Sequence, residues 1–184
     1  MPFTVESVVW MGPAKGAAPT IRKAVKAYNE AGAQLLVIHR DTDQKPSQFI
    51  IDHHIAPVLA DLPGNIRSEL PIVPLIIRHE QETWMFADFD KLSDLLGGNL
   101  DRRALKLPPN LESRANTKEI MQQAIQMVNK GQTRGRGYKL DLITEQLAKE
   151  LNLQQLERLP SYQDFIAATT VALRELTYLP PNDK

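Results

Sequence analysis

The sequence predicts an α/β fold: a short, mainly parallel sheet flanked by helices, followed by a helical C-terminal portion. Two apolar runs carry that prediction, AQLLVIHRDTD at 33–43 and PIVPLII at 71–77, each passing abruptly into polar residues. Between and after them, apolar residues recur at helical spacing. Strands alternating with helices give parallel sheets whose faces the helices cover.

In chain order, FTVESVVW at 3–10 is β-branched and aromatic-rich, a first strand. Gly12, Pro13 and Gly16 make a loop around Lys15. A helix is expected from about Pro19 to Glu30, with Ile21, Ala24, Val25 and Tyr28 on one face and Gly32 as its stop. Leu35, Leu36, Val37 and Ile38 suit a strand buried on both faces. Pro46 then opens a helix to about Leu59, closed by DLPG at 61–64. Pro71–Ile77 is the next strand, where Pro74 argues for an edge position or a bulge. A short helix covers about Asp90 to Leu96, with Gly97 and Gly98 behind it. The LPPN stretch at 107–110 is a linker, dividing one domain of 184 residues into a sheet-containing core (1–106) and a helical portion (107–184). Thr117 is placed to cap a helix to about Asn129, with Ile120, Ala124, Met127 and Val128 inward. Helices at about Leu140–Leu151 and Ser161–Leu176 complete the chain, with the GQTRGRG loop at 131–137 before the first.

Composition narrows the function classes. Lys+Arg and Asp+Glu both number 22, so no global basic field draws nucleic acid and any phosphate contact is local. There are no cysteines, which excludes disulfides and zinc–thiolate sites and fits a reducing compartment. No apolar run approaches the ~20 residues of a membrane span and the N-terminus does not resemble a signal peptide, so a cytoplasmic protein without a membrane partner is expected.

The chemistry-bearing residues gather after the strands. In open α/β sheets ligands bind beyond the carboxyl ends of the strands. Asp41 and Asp43 stand there, two apart, so in an extended segment their carboxylates share a side. They form either a polar turn or half a shell for Mg²⁺, which takes one or two carboxylates plus waters or substrate phosphates. Glu80 and Glu82 follow the next strand, and parallel strands present their ends on one rim. Lys15, Arg40, Arg134 and Arg136 are the candidate phosphate-binding residues. The loop around Lys15 lacks the spacing of a P-loop, and the Arg134–Arg136 loop reads first as a connector. His53 and His54 diverge by about 100° as helical neighbours, which favours a structural or solvent role over a shared metal.

The linear order of these segments resembles a Toprim-related family of uncharacterised proteins, domain of unknown function 4276. The matching segments are GPAKG, LLVIHRDTDQ, IIRHEQETWMFAD, NTKE and PSYQDF. Within them, Glu80, Glu82, Trp84, Ala87 and Asp88 match an "ELEAW-LAD"-like signature, and Pro160 to Phe165 a late "SPSF"-like one. The resemblance implies Mg²⁺ (or Mn²⁺) held by Asp41 and Asp43. Glu80 or Glu82 would complete the shell or orient a water as the catalytic carboxylates, with Trp84 packed beneath. It implies phosphodiester chemistry on nucleic acid, nuclease-like, in a bacterial defence or mobile-element setting. The alternative is a non-catalytic partner of an ATPase or another protein. Family members begin with an extra strand and helix that supply a catalytic glutamate, whereas Glu6 here lies inside FTVESVVW. Residues 1–184 are therefore expected to be nearly inert on DNA and RNA unless Glu80 or Glu82 reaches the reacting oxygen.

Overall fold

The computed structural model of the chain describes residues 16–43, 45–98, 100–130 and 140–180. The strand expected at 3–10, Lys15 with the loop before it, and Arg134 and Arg136 lie outside the described residues. The chain divides into two compact units. One is drawn from Met1–Arg40, Pro46–Ile76 and Asp164–Lys184, the other from Asp41–Lys45 and Ile77–Gln163.

Among the described residues, the first unit holds nearly all of a two-stranded sheet and the helices that flank it. Helix α1 (Ala17–Ala31) starts two residues earlier than its apolar face predicts and ends at Gly32, whose φ of 61° is left-handed. There the Ala33 amide reaches back to Ala27 O at 3.2 Å, closing the last turn. Strand β1 (Leu36–Asp41) pairs with β2 (Ile72–Ile77). The pairing is parallel: Leu36 N donates to Pro71 O and, further along both strands, Thr42 N to Ile77 O, each at 3.0 Å. Because Pro71 and Ile77 both turn their carbonyls toward β1, alternation turns the Pro74 nitrogen away from it. The missing N–H of Pro74 thus costs the pairing with β1 nothing.

Ile38 is buried with Ala24 of α1 and with Ile55, Val58, Leu62, Ile66 and Leu70, the apolar centre of this unit. Val37, pointing the other way, is 44% exposed. The apolar run therefore buries one face rather than both, because α1 and the helices after Pro46 gather on the Ile38 side.

Those helices begin as expected after Pro46. Helix α2 (Ser47–Ile50) widens into one π turn (Ile51–Ile55) and continues as α3 (Ala56–Asp61). Near this turn, the His53 ring stacks on Phe49 with centroids 4.0 Å apart, and its Nδ1 lies 3.0 Å from Phe49 O. His53 is engaged with its own helix, the structural role its sequence neighbourhood favours. A further helix, α4 (Gly64–Glu69), follows Pro63 where the sequence signalled only a stop.

In the second unit, α5 (Glu82–Met85) runs through a 3₁₀ turn (Phe86–Asp88) into α6 (Phe89–Leu95). Asp88 caps α6 through Lys91 N at 3.3 Å, and its other oxygen accepts from Asn152 N at 2.9 Å. Helices α7 (Thr117–Lys130) and α8 (Leu140–Glu150) pack with α5 and α6, and α9 (Pro160–Glu175) begins in this unit. The buried arc of α7 is Ile120, Met121, Ala124 and Ile125; Met127, expected inward, falls off its edge and is 52% exposed. Among the described residues no helix is long and apolar enough to cross a membrane.

Candidate functional site

The site is made where the chain leaves the two strands, and all of its residues belong to the second unit. After β1 the chain turns at once: Thr42 is buried and Asp43 adopts φ 47°. After β2 it turns likewise, with His79 at φ 67°. Both are non-glycine residues in the left-handed region, which persists only where the surroundings hold it. They hold each other. The Asp43 amide donates to His79 O at 3.3 Å, and the His79 amide donates to Thr42 Oγ1 at 2.8 Å.

This mutual lock brings the acidic residues after both strands into electrostatic reach. Burial pushes the half-buried Glu82 carboxyl above the ordinary glutamate range, and the charges of Glu80 and Asp41 push it the same way. Its own backbone amide and Lys118 pull in the opposite direction. Glu80 is committed elsewhere: its Oε2 accepts from Lys118 N at 2.8 Å and from Thr117 Oγ1 at 3.3 Å, at the N-terminus of α7. Negative charge is favoured at that end of a helix. Thr117, expected to cap α7, is instead its first residue, with its hydroxyl also 3.1 Å from Thr83 Oγ1.

The Asp41–Asp43 pair is not the extended two-apart arrangement its spacing suggested. Asp41 ends β1 half-buried, whereas the left-handed turn carries Asp43 out of strand register onto the surface. Among the described residues no group of three or more acidic or histidine side chains could hold a metal ion. Mg²⁺ does not need one, since it often takes one or two protein carboxylates and completes its shell with water and phosphate oxygen. At this strand end the carboxylates are Asp41, half-buried, and Asp43, exposed on the turn.

A buried polar network that the sequence did not announce lies behind this acidic ledge. The side chain of Glu112 is wholly buried and sits 3.4 Å from Arg78 Nε. It accepts from the Ser161 amide at 3.0 Å and from the Ser161 hydroxyl. Ser161 Oγ in turn accepts from Trp84 Nε1 at 2.8 Å, and the Trp84 ring meets Tyr162 edge-on at 5.4 Å between centroids. The ring of Trp84 thus joins the signature after β2 to the late PSYQDF segment. His79 Nε2 lies 3.0 Å from Glu112 O, while its buried Nδ1 has no hydrogen-bond partner.

Comparison with protein-family models, curated proteins and solved structures found no match to this chain.

Of the candidate phosphate-binding residues, only Arg40 is described, and it lies in the first unit. Its Nη2 donates to Thr20 Oγ1 in the first turn of α1 at 2.9 Å and its Nη1 to His39 O at 2.8 Å. Burial lowers the guanidinium from its ordinary value. The first turn of α1 contains no acidic side chain, and no side-chain hydrogen bond caps it.

Proposed function

We propose that this chain is a Toprim-like, Mg²⁺-dependent protein that acts on nucleic-acid phosphodiesters. The observation that supports this reading is the mutual lock of the two strand ends, which sets Asp41 and Asp43 beside the segment bearing Glu80 and Glu82. Asp41 and Asp43 would hold the metal, which when bound neutralises charge developing on phosphoryl oxygens. Glu82 is the carboxyl suited to moving a proton. Half-buried among like charges, it is protonated more readily than an exposed glutamate. Glu80 orders this ledge through its bonds to α7. Arg40, beside the uncapped start of α1, is the described candidate for a phosphate contact.

The test is a Mn²⁺-supported cleavage assay on single- and double-stranded DNA and RNA. Loss of proton handling is typically worth ~10²–10⁴-fold, so turnover should fall by that order in Glu82→Gln and disappear in Asp41→Asn. Turnover that survives both substitutions would sink the assignment.

A second reading is a non-catalytic partner of an ATPase or another protein. The commitment of Glu80 to α7, which leaves one fewer carboxylate for catalysis, favours it. Wild-type protein that is inert in the same assay yet binds a partner would select this reading.

A further inference from the structure

Two residues separate the end of β2 from Glu80, and Glu112 holds both. Arg78 Nε lies 3.4 Å from its carboxylate, and His79 Nε2 lies 3.0 Å from its backbone carbonyl. Glu112 is itself fixed: it is 5% exposed, and its carboxylate takes both the amide and the hydroxyl of Ser161 at the start of α9. Asn110 supplies a further anchor, accepting from Glu112 N at 3.1 Å. His79 meanwhile holds a left-handed backbone that a β-carbon disfavours, so something must keep it there. A buried carboxylate with an exposed cationic partner is a poor source of net stability, because its desolvation offsets much of the attraction. Its placement against the residues that aim Glu80 and Glu82 gives it another use.

We propose that Glu112 is a positioning residue, clamping Arg78 and His79 so that Glu80 stays on α7 and Glu82 stays beside Asp41. The proposal rests on the metal-site reading for its consequence, although the clamp itself can be measured without metal.

The experiment is amide hydrogen exchange on the metal-free protein, paired with calorimetric titration of Mn²⁺. Lys118 N reports the bond to Glu80, and His79 N reports the bond to Thr42. The amides of Leu96 and Leu151, bonded within the same unit, report its general stability. In Glu112→Gln the Lys118 and His79 amides should exchange about tenfold faster relative to those controls, the scale of one lost hydrogen bond. Mn²⁺ affinity should weaken by about tenfold or more, as for loss of an outer partner of a metal site. Arg78→Gln provides a second variant that removes only the exposed side of the pair, and it should shift the same two amides in the same direction. If all four amides accelerate together, or none does, Glu112 is structural and the proposal falls. Wild-type protein that takes up no Mn²⁺ would remove the metal-site reading alone, and the exchange pattern would still decide the clamp.

Discussion

Ser161→Ala tests the buried network at its narrowest point. The hydroxyl both donates to the Glu112 carboxylate and accepts from Trp84 Nε1 at 2.8 Å, and the residue is 3% exposed. A hydrogen bond to a charged group contributes about 1.5–3 kcal/mol. The Trp84 N–H would lose its acceptor too, but Trp84 is partly exposed and water can replace part of that bond, so about 0.5–1 kcal/mol is assigned to it. Glu112 keeps the Ser161 amide, so the charge is not stranded. The sum is about 2–4 kcal/mol, read as a lower denaturant midpoint with an unchanged slope. For a chain of this length that corresponds to a fall in Tm of very roughly 4–16 °C. Glu112→Gln alone should cost less, since a carboxamide oxygen still accepts from Ser161. The double variant should be less destabilised than the sum, by about 1 kcal/mol, because the two side chains share one bond. A cost for Ser161→Ala below about 0.5 kcal/mol, the range of ordinary surface changes, would refute the reasoning.

The remaining expectations concern single groups. Glu82 binds its proton more tightly folded than unfolded, so its contribution is intact below the unfolded glutamate value of ~4.3 and is lost as pH rises through its raised folded value. Glu82→Gln should therefore be more stable than wild type at pH 7, with the gain vanishing by about pH 4; a gain independent of pH would contradict this. Gly32→Ala should cost about 1–2 kcal/mol through its left-handed backbone alone, since a β-carbon there meets nothing within 4 Å. Denaturant titration will show it, and a neutral result would mean that the helix end readjusts. Asp43→Gly relieves the same kind of backbone cost and should leave the midpoint unchanged or raise it by up to about 1 kcal/mol. A clear fall would show that the Asp43 side chain holds the turn.

The longer helices and both described strands were legible because each depends on local pattern, whereas the short helices α4 and α5 were not. Ile21, Ala24, Val25 and Tyr28 fix the inner face of α1, and Gly32 ends it through a backbone angle that glycine alone adopts freely. Pro74 was legible as a residue of an edge position or a bulge, and its nitrogen does face away from β1. What failed were judgements that depend on neighbours. Leu36, Val37 and Ile38 form an unbroken apolar run, yet Ile38 is buried against helices while Val37 is 44% exposed. Met127 sits at helical spacing from Ile120 and Ala124, but the partners of α7 approach an arc that runs through Met121 and Ile125 instead.

The candidate site divides along the same line. That acidic residues would follow both strand ends was legible from the sequence, and the charge of Asp41 is among the causes, after burial, that raise the Glu82 carboxyl. What each carboxylate does once gathered depends on contacts made far along the chain. Glu80 bonds an amide 38 residues later, and Glu112 bonds a serine 49 residues later. Nothing in LES at 111–113 distinguishes Glu112 from a solvated loop residue; the only trace was Ser161, inside the PSYQDF segment. Yet Glu112 has a wholly buried carboxylate and Glu80 is bonded to the start of α7, while Asp43, which the spacing singled out, is exposed on a turn. Sequence position places carboxylates at a strand end. Burial and long-range partners decide which of them keep the fold in register, as Glu112 and Glu80 do through Ser161 and Lys118.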